Sequence, residues 1–497
     1  MQDNHTTDAE KVLAGSFWLI SLSWFNRIIG FCSIFILARL LSPQDFGSVA
    51  IILIAIQLAE TLSDVGSEQY YIQLESATPE DLDSAWTFNI LVKLGISVCL
   101  LLLSPIIVEQ FDIPQLLTAL LVMSFIPFLS ATANGYIFEL KKQMHFRSFF
   151  AFSAIAKFMG GAASLVIAYI YQSYWAILFG ILLSTLSYSV LSYIMLPNRA
   201  HWKVNNCFKQ VQFSKWMILR SIVGHGRAKF DVWFASSLQG LSGLGGYNLA
   251  KDLVLLPSRE FIGPITQVLF SSFAKSNNSS TQQTHQIYMS LAGLFSLCIP
   301  ITTGLMLIAP DLVAVLLGSH WLPYTKTIEL LSPLVCTFAI GNFYSAVFTA
   351  QGKVKQLFIF DAVTFISSIL VVLLLFYRIE NINQLALTRS VLGIIIVLAG
   401  ISWLSNQCGL SLTRIVKMLV WPLLCSTAMY FIVLTLPLNS SIIVLNLMYN
   451  VMLGGIVYGA LFLIGCKLHL LGGPESNFIN GLTNQLLCKF INKIRPN

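Results

Sequence analysis

Charged side chains are scarce in this chain, and several stand inside long apolar runs. The bases are Arg27, Lys93, Lys157, Arg220, Arg227, Lys229, Lys251, Arg259 and Arg389; the acids are Asp231, Asp252, Glu260 and Asp361. An ionised side chain at the centre of a bilayer costs on the order of 2.5–3.5 kcal/mol on insertion scales. Such residues pair with one another, face a water-filled cavity or hold a ligand of opposite charge. Pairing accounts for part of the set: Arg227 and Asp231 are spaced i, i+4, and Asp252 and Arg259 share a helical face. Bases still outnumber acids, and surplus positive charge inside a membrane calls for an anion. The obvious one is a phosphate or diphosphate headgroup, which arginine grips bidentately. The pattern therefore marks Arg27, Arg220, Arg227 and Arg259, with Lys93, Lys157 and Arg389, as a basic substrate-binding set. Arg220, Arg227 and Asp231 fall on one helical face by their i, i+7, i+11 spacing. Asp231 and Asp361 are candidates for coupling transport to a cation.

Other chemistries find less support. The nine cysteines are scattered, with no C-x-x-C and no Cys/His cluster, and read as small apolar packing residues. No metal or cofactor is expected. The run Gly240-Leu-Ser-Gly243-Leu-Gly245-Gly246 joins two apolar helices, not a strand to a helix, so it is not a dinucleotide cradle. No ATPase motif occurs, which leaves an ion gradient, the membrane potential or the substrate gradient as the energy source. A membrane polymerase or ligase would need a sizeable outward loop; the longest, about 310–324, offers only Asp311 and His320 as catalysts. The chain therefore reads as no enzyme, and no catalytic residue is assigned.

The elements that must hold these charges are membrane helices. Of 497 residues 56% are hydrophobic and only 10% charged, with a mean hydropathy of +0.76; soluble domains carry roughly 25% charge. Apolar runs of about 20 residues recur, the length that crosses a hydrocarbon core as helix. They predict about fourteen spans: 12–37, 45–64, 84–108, 114–138, 149–171, 174–196, 213–238, 244–273, 286–309, 325–350, 357–377, 384–405, 414–436 and 442–466. Segments such as Leu357–Phe376 are apolar all round, which argues against a barrel. The first run is too long for the core of a cleaved signal peptide and reads as an anchor.

Basic residues set the orientation. With the N-terminus inside, inward segments hold Lys141, Lys142, Arg147, Arg199, Lys203, Lys353, Lys355, Arg414 and Lys417, whereas outward ones hold only Arg39, Lys326 and Arg378. Both termini are then cytoplasmic. The inward loop 65–83 is the weak case, being acidic. The net charge of +7 is topological on this reading and suits anionic lipid, not nucleic acid. One offset aligns Leu40 with Leu238, Phe46 with Leu244 and Gly47 with Gly245, and brings Arg27 close to Arg227. An even number of helices separates these copies, so they are parallel repeats. The predicted fold is all-α and polytopic, with two pseudo-symmetric six-helix lobes and two further helices. Its divisions are 1–196 as the first lobe, 197–212 as a cytoplasmic linker, 213–405 as the second lobe, 406–466 as the last two helices and 467–497 as a cytoplasmic tail.

Two runs carry a family resemblance. Ile36-Leu-Ala-Arg-Leu-Leu-Ser-Pro-Gln-Asp-Phe-Gly47, followed by Leu62-Ser-Asp-Val-Gly66 and Ile72-Gln73, resembles the start of Wzx-type polysaccharide flippases. Gly245-Gly-Tyr-Asn-Leu-Ala250, Pro257, Val268-Leu-Phe270 and Phe273-Ala-Lys275 resemble the second lobe of the same family, in its colanic-acid type. The resemblance spans about residues 12–470. Lys251-Asp252 and Ser258-Arg259-Glu260 depart from it by adding charge to a plainer helix. It implies membership of the MOP superfamily, which includes MATE drug exporters and lipid II flippases, and a V-shaped transporter of alternating access. The implied substrate is an undecaprenyl-diphosphate-linked oligosaccharide repeat, moved from the cytoplasmic to the periplasmic leaflet of a bacterial inner membrane. Implied partners are that lipid-linked oligosaccharide, membrane lipids, and polysaccharide polymerase and chain-length machinery. A lipid II flippase is a near alternative; a drug/cation antiporter would want an acidic cavity instead.

Overall fold

Two helix starts show how local sequence frames the computed structural model. α2 (Pro43–Ser63) has proline in its first turn and Ser42 as N-cap. The Ser42 hydroxyl accepts the Asp45 amide at 3.2 Å, and the Asp45 carboxylate accepts the Ser42 amide at 3.0 Å. α4 (Pro79–Gln110) repeats the device with Thr78, Pro79 and Asp81. Each box satisfies two backbone donors that a bare helix end leaves open, and the fixed φ of proline suits the first turn.

The structure describes residues 8–74, 77–143, 145–203, 207–264, 266, 280–351, 353–438 and 440–468, with side chains left aside at 8–16, 207–221, 280–282, 354 and 376. Among the described residues eleven helices are long and apolar enough to cross a membrane, or twelve if Ser319–Leu331 and Leu334–Ala350, bent by 45°, form one span. The fold is all-α and polytopic, with no strand among those residues.

Two expected spans, 213–238 and 244–273, are absent from that count. They fall on the helical run α10 (Cys207–Pro257), two helices that meet at a kink between the two expected spans and carry Arg227, Lys229, Asp231, Lys251 and Asp252. The helix breaks at Gln239 (φ −137°, ψ 24°) and Gly240 (φ 62°, ψ −154°). Positive φ costs glycine nothing, so the break falls there. Beyond Pro257 the chain makes a π-helical turn, Ser258–Ile262, where the proline has removed a backbone donor. Lys275 and the rest of 267–279, and the tail beyond 468, lie outside the described residues. The expected span 114–138 is also interrupted. It becomes a 3₁₀ turn at Pro114–Leu116, α5 (Leu117–Met123), α6 (Ile126–Ala131) and α7 (Tyr136–Lys142). Pro127 sits in the first turn of α6 and Gly135 caps α7.

Contacts gather the chain into two compact units, Met1–Gly246 and Tyr247–Asn497. In the first, α8 (Phe146–Tyr171) and α9 (Trp175–Met195) are the most closely packed pair. Small residues let their backbones approach, so that a Cβ on Gly160 would lie 2.5 Å from the Gly180 carbonyl oxygen. α1 (Asp8–Leu40) lies on α8 through Trp18 and Phe25, whose rings sit 5.1 and 6.2 Å from that of Phe150. Polar side chains secure the broken α5–α7 segment: Trp86 Nε1 donates to the Ala133 carbonyl at 2.8 Å, and Ser97 Oγ accepts the Phe128 amide at 3.0 Å. The start of α2 crosses the glycine run of α10 in direct backbone contact. A Cβ on Gly47 would lie 1.8 Å from the Leu241 oxygen, and one on Gly245 would lie 2.0 Å from the Pro43 oxygen.

The second unit holds α11 (Ser280–Leu316), α12 (Thr325–Leu331), α13 (Leu334–Ala350), α14 (Val354–Leu375), α15 (Ile382–Cys408), α16 (Leu412–Thr435) and α17 (Ile443–Lys467). Trp403 of α15 stacks between Phe348 and Phe360, at 3.9 and 4.9 Å between ring centroids. α17 is tied to α11 where Tyr458 donates to the Ser296 carbonyl at 2.7 Å and Asn450 Nδ2 to Asp311 at 3.2 Å.

Candidate functional site

The first unit holds Arg27, Lys93, Lys157, Arg227 and Asp231. Arg27 is half-buried on α1, its guanidinium 5.7 Å from the centre of the Trp24 ring. Arg227 is half-buried on α10. One turn on, Asp231 is fully buried at 0% exposure, and its Oδ1 accepts the Val232 amide at 3.1 Å. Lys157 is exposed on α8 with Ile155, Phe158 and Met159 around it, so it stands on an apolar outer face and not in the packed interior. Arg220 lies on α10, but its side chain is outside the described residues.

Lys93 brings in residues that the sequence reading passed over. Its ammonium donates to Ser130 Oγ at 3.1 Å, and its charged neighbours are Glu60, Asp64 and Glu68. Nearby, α3 (Ser67–Gln73) is clamped to α7. Lys141 Nζ meets both Glu68 oxygens at 2.8 Å, the Tyr71 hydroxyl donates to Glu139, and Lys142 donates to the Leu74 carbonyl at 2.6 Å. The ammonium of Lys142 also lies 5.0 Å from the Tyr71 ring centre. Lys203 pairs with Glu80 at 2.7 Å. The acids of loop 65–83 are thus matched by bases from 141–142 and 203, segments assigned to the same membrane side. The available signal was the complementarity of the two loops, which spacing along one segment does not reveal.

In the second unit Arg259 sits on the π-helical turn, exposed, its Nη1 donating to Asp252 Oδ1 at 3.1 Å. The i, i+7 spacing had placed these two on one face. Lys251 is buried at 6% exposure; Asp361 on α14 and Arg389 on α15 are half-buried. No group of three or more His, Cys, Asp or Glu side chains that could hold a metal occurs among the described residues.

In each unit, half-buried arginines are groups that can hold an anion. A guanidinium stays charged in apolar surroundings, and Arg27 and Arg389 stand on helices long and apolar enough to cross a membrane. Comparison with known proteins bears on family and fold. The family described as "Polysaccharide biosynthesis protein" matches residues 36–326. The chain is 24% identical over 358 residues to the lipopolysaccharide biosynthesis protein WzxC of Escherichia coli, covering 71% of this chain and 72% of that one. It is 22% identical over 321 residues to the succinoglycan biosynthesis transport protein ExoT of Rhizobium meliloti, covering 64% of each. Among solved structures, an inward closed lipid II flippase MurJ superposes with a TM-score of 0.74 at 15% identity, covering 91% of this chain and 99% of that one. The last likeness establishes the fold.

Proposed function

Because the chain belongs to the polysaccharide biosynthesis protein family, we propose that it flips a lipid-linked oligosaccharide from the cytoplasmic to the periplasmic leaflet of the inner membrane by alternating access. The observation that carries this reading is the two half-buried arginines of the first unit, Arg27 on the apolar span Phe17–Leu40 and Arg227 on α10. A diphosphate linker is the anion that a membrane supplies to such groups. The word transport in the name of the succinoglycan relative, and the lipid II flippase of like fold, support it.

In this reading Arg27, Arg220, Arg227 and Arg259 engage the diphosphate, and Lys93 and Arg389 extend the basic lining; Lys157, exposed on the outer face of α8, stands apart from it. Asp231 and Asp361 answer to the coupling cation. The protein moves its substrate without making or breaking a bond. The lobes read from the sequence, 1–196 and 213–405, and cytoplasmic placement of both termini belong to the same proposal, as does hand-over to polymerase and chain-length machinery.

The test is a leaflet-resolved assay of lipid-linked oligosaccharide in a deletion strain complemented with wild type or Arg227→Ala. Cytoplasmic-side accumulation relieved by wild type alone supports the reading. Normal arrival at the periplasmic face without the protein, in a strain lacking other flippases, overturns it.

A further inference from the structure

The first unit contains a cavity of about 270 Å³ whose walls come from α2, α4 and α10. Ile54 and Leu58 line one side, Cys99 and Leu103 another, and Trp233 and Leu244 close it from α10. Its wall is apolar almost throughout, with Gln110 the single side-chain amide in it. Water has too few partners in such a place: apolar cavities of about 150 Å³ stay dry and take up apolar guests. Left empty, the lining atoms lose the dispersion contacts that a guest would return.

The surroundings point to the guest. On α4, Leu103 is 44% and Ile106 is 60% exposed, and Cys99 is an exposed thiol. This wall belongs to a membrane span, so its outer side meets hydrocarbon. The cavity also adjoins the helix that carries Arg227. Trp233 follows Arg227 on α10 by six residues, ~9 Å at 1.5 Å per residue. Arg227 and the cavity thus share one short stretch of helix, the arginine about 120° around the axis from Trp233 at 3.6 residues per turn, a spread that one lipid spans from its charged head to the first units of its chain.

We infer that this cavity binds the head-proximal part of the polyisoprenyl chain of the lipid-linked substrate. The inference rests on the flippase reading and deepens it. The chain is held by α2, α4 and α10 while the diphosphate lies near Arg227, so the protein recognises its carrier lipid and does not leave the tail loose in the bilayer. Bulk in the cavity then affects long-chain substrates and spares short ones.

The experiment uses the purified full chain in lipid nanodiscs. The probe is undecaprenyl diphosphate with a photoreactive group in its head-proximal isoprene units, and cross-links are mapped by mass spectrometry. Inorganic diphosphate and dioleoyl phosphatidic acid serve as competitors. Cross-links on 51–62 of α2 and 96–111 of α4, resistant to excess phosphatidic acid, are expected. Ala55→Phe, which fills the cavity, is expected to weaken undecaprenyl diphosphate binding about tenfold and leave competition by inorganic diphosphate unchanged. If the probe binds in an Arg227-dependent way but cross-links elsewhere, the tail site is wrong and the flippase reading stands. If phosphatidic acid displaces the cross-links, the occupant is an ordinary acyl chain and the isoprenyl assignment falls. If wild type binds no undecaprenyl diphosphate, the flippase reading itself fails. The cross-link map on wild type decides the matter even if Ala55→Phe does not fold.

Discussion

Arg27 on α1 and Arg227 on α10 are half-buried, whereas Lys157 is exposed on an apolar outer face. If an anion is bound by the half-buried groups, their loss must cost more than that of Lys157. Arg227→Ala is expected to abolish most export in the leaflet-resolved assay, and Arg227→Lys to retain part, because an ammonium keeps the charge but not the bidentate fork. Lys157→Ala should stay near wild type; an equal loss would place substrate on the outer face of α8. Lys93 is set among acids, so its removal leaves Glu60 without its main counter-charge. Thermal unfolding in detergent should show Lys93→Met and Glu60→Gln each destabilising. The double variant should recover a coupling of about 0.5–3 kcal/mol. Additive losses would mean that the two side chains act separately.

Helix starts and crossings carry their own consequences. The Thr78 box satisfies donors at the start of α4, and Thr78→Ala is expected to cost about 0.5–2 kcal/mol, read as a lower unfolding midpoint. The crossing of α2 on α10 is stricter. Gly47 faces the Leu241 carbonyl and Gly245 the Pro43 carbonyl, both backbone, which cannot rotate away as a side chain can. Gly245→Val should cost more than the about 1–3 kcal/mol usual for overpacking and abolish export. A stable, active Gly245→Val would show that the two helices separate by more than a methyl group in the working protein. The repeat offset pairs these same two glycines, yet the alignment gave no reason why glycine was needed there. The reason is contact between the two aligned segments.

For the whole molecule, orientation is the property most open to a direct check. Charge pairs join 68 to 141 and 80 to 203, so these segments lie on one membrane side. Cysteines introduced at Lys142 and Arg199 should be labelled only from the cytoplasm, and one at Arg378 only from the periplasm. The reverse pattern would invert the topology and with it the direction of transport.

Composition alone settled that lipid is the solvent, since 10% charge cannot clothe a soluble fold of this length. Apolar run lengths settled most spans, and Ser42-Pro43 announced a helix start that the structure keeps, because these features act within a few residues of sequence. The family was legible in 36–47 and 245–250. Other features were settled only in three dimensions. The acids around Lys93 and the clamp of Glu68 on Lys141 join residues more than twenty positions apart. The break of the expected span 114–138 depends on what packs alongside it. Whether a charge inside a membrane is paired, exposed to lipid or turned toward a ligand depends on neighbours brought by other helices. A sequence gives the cost of each charge; only packing shows how that cost is met.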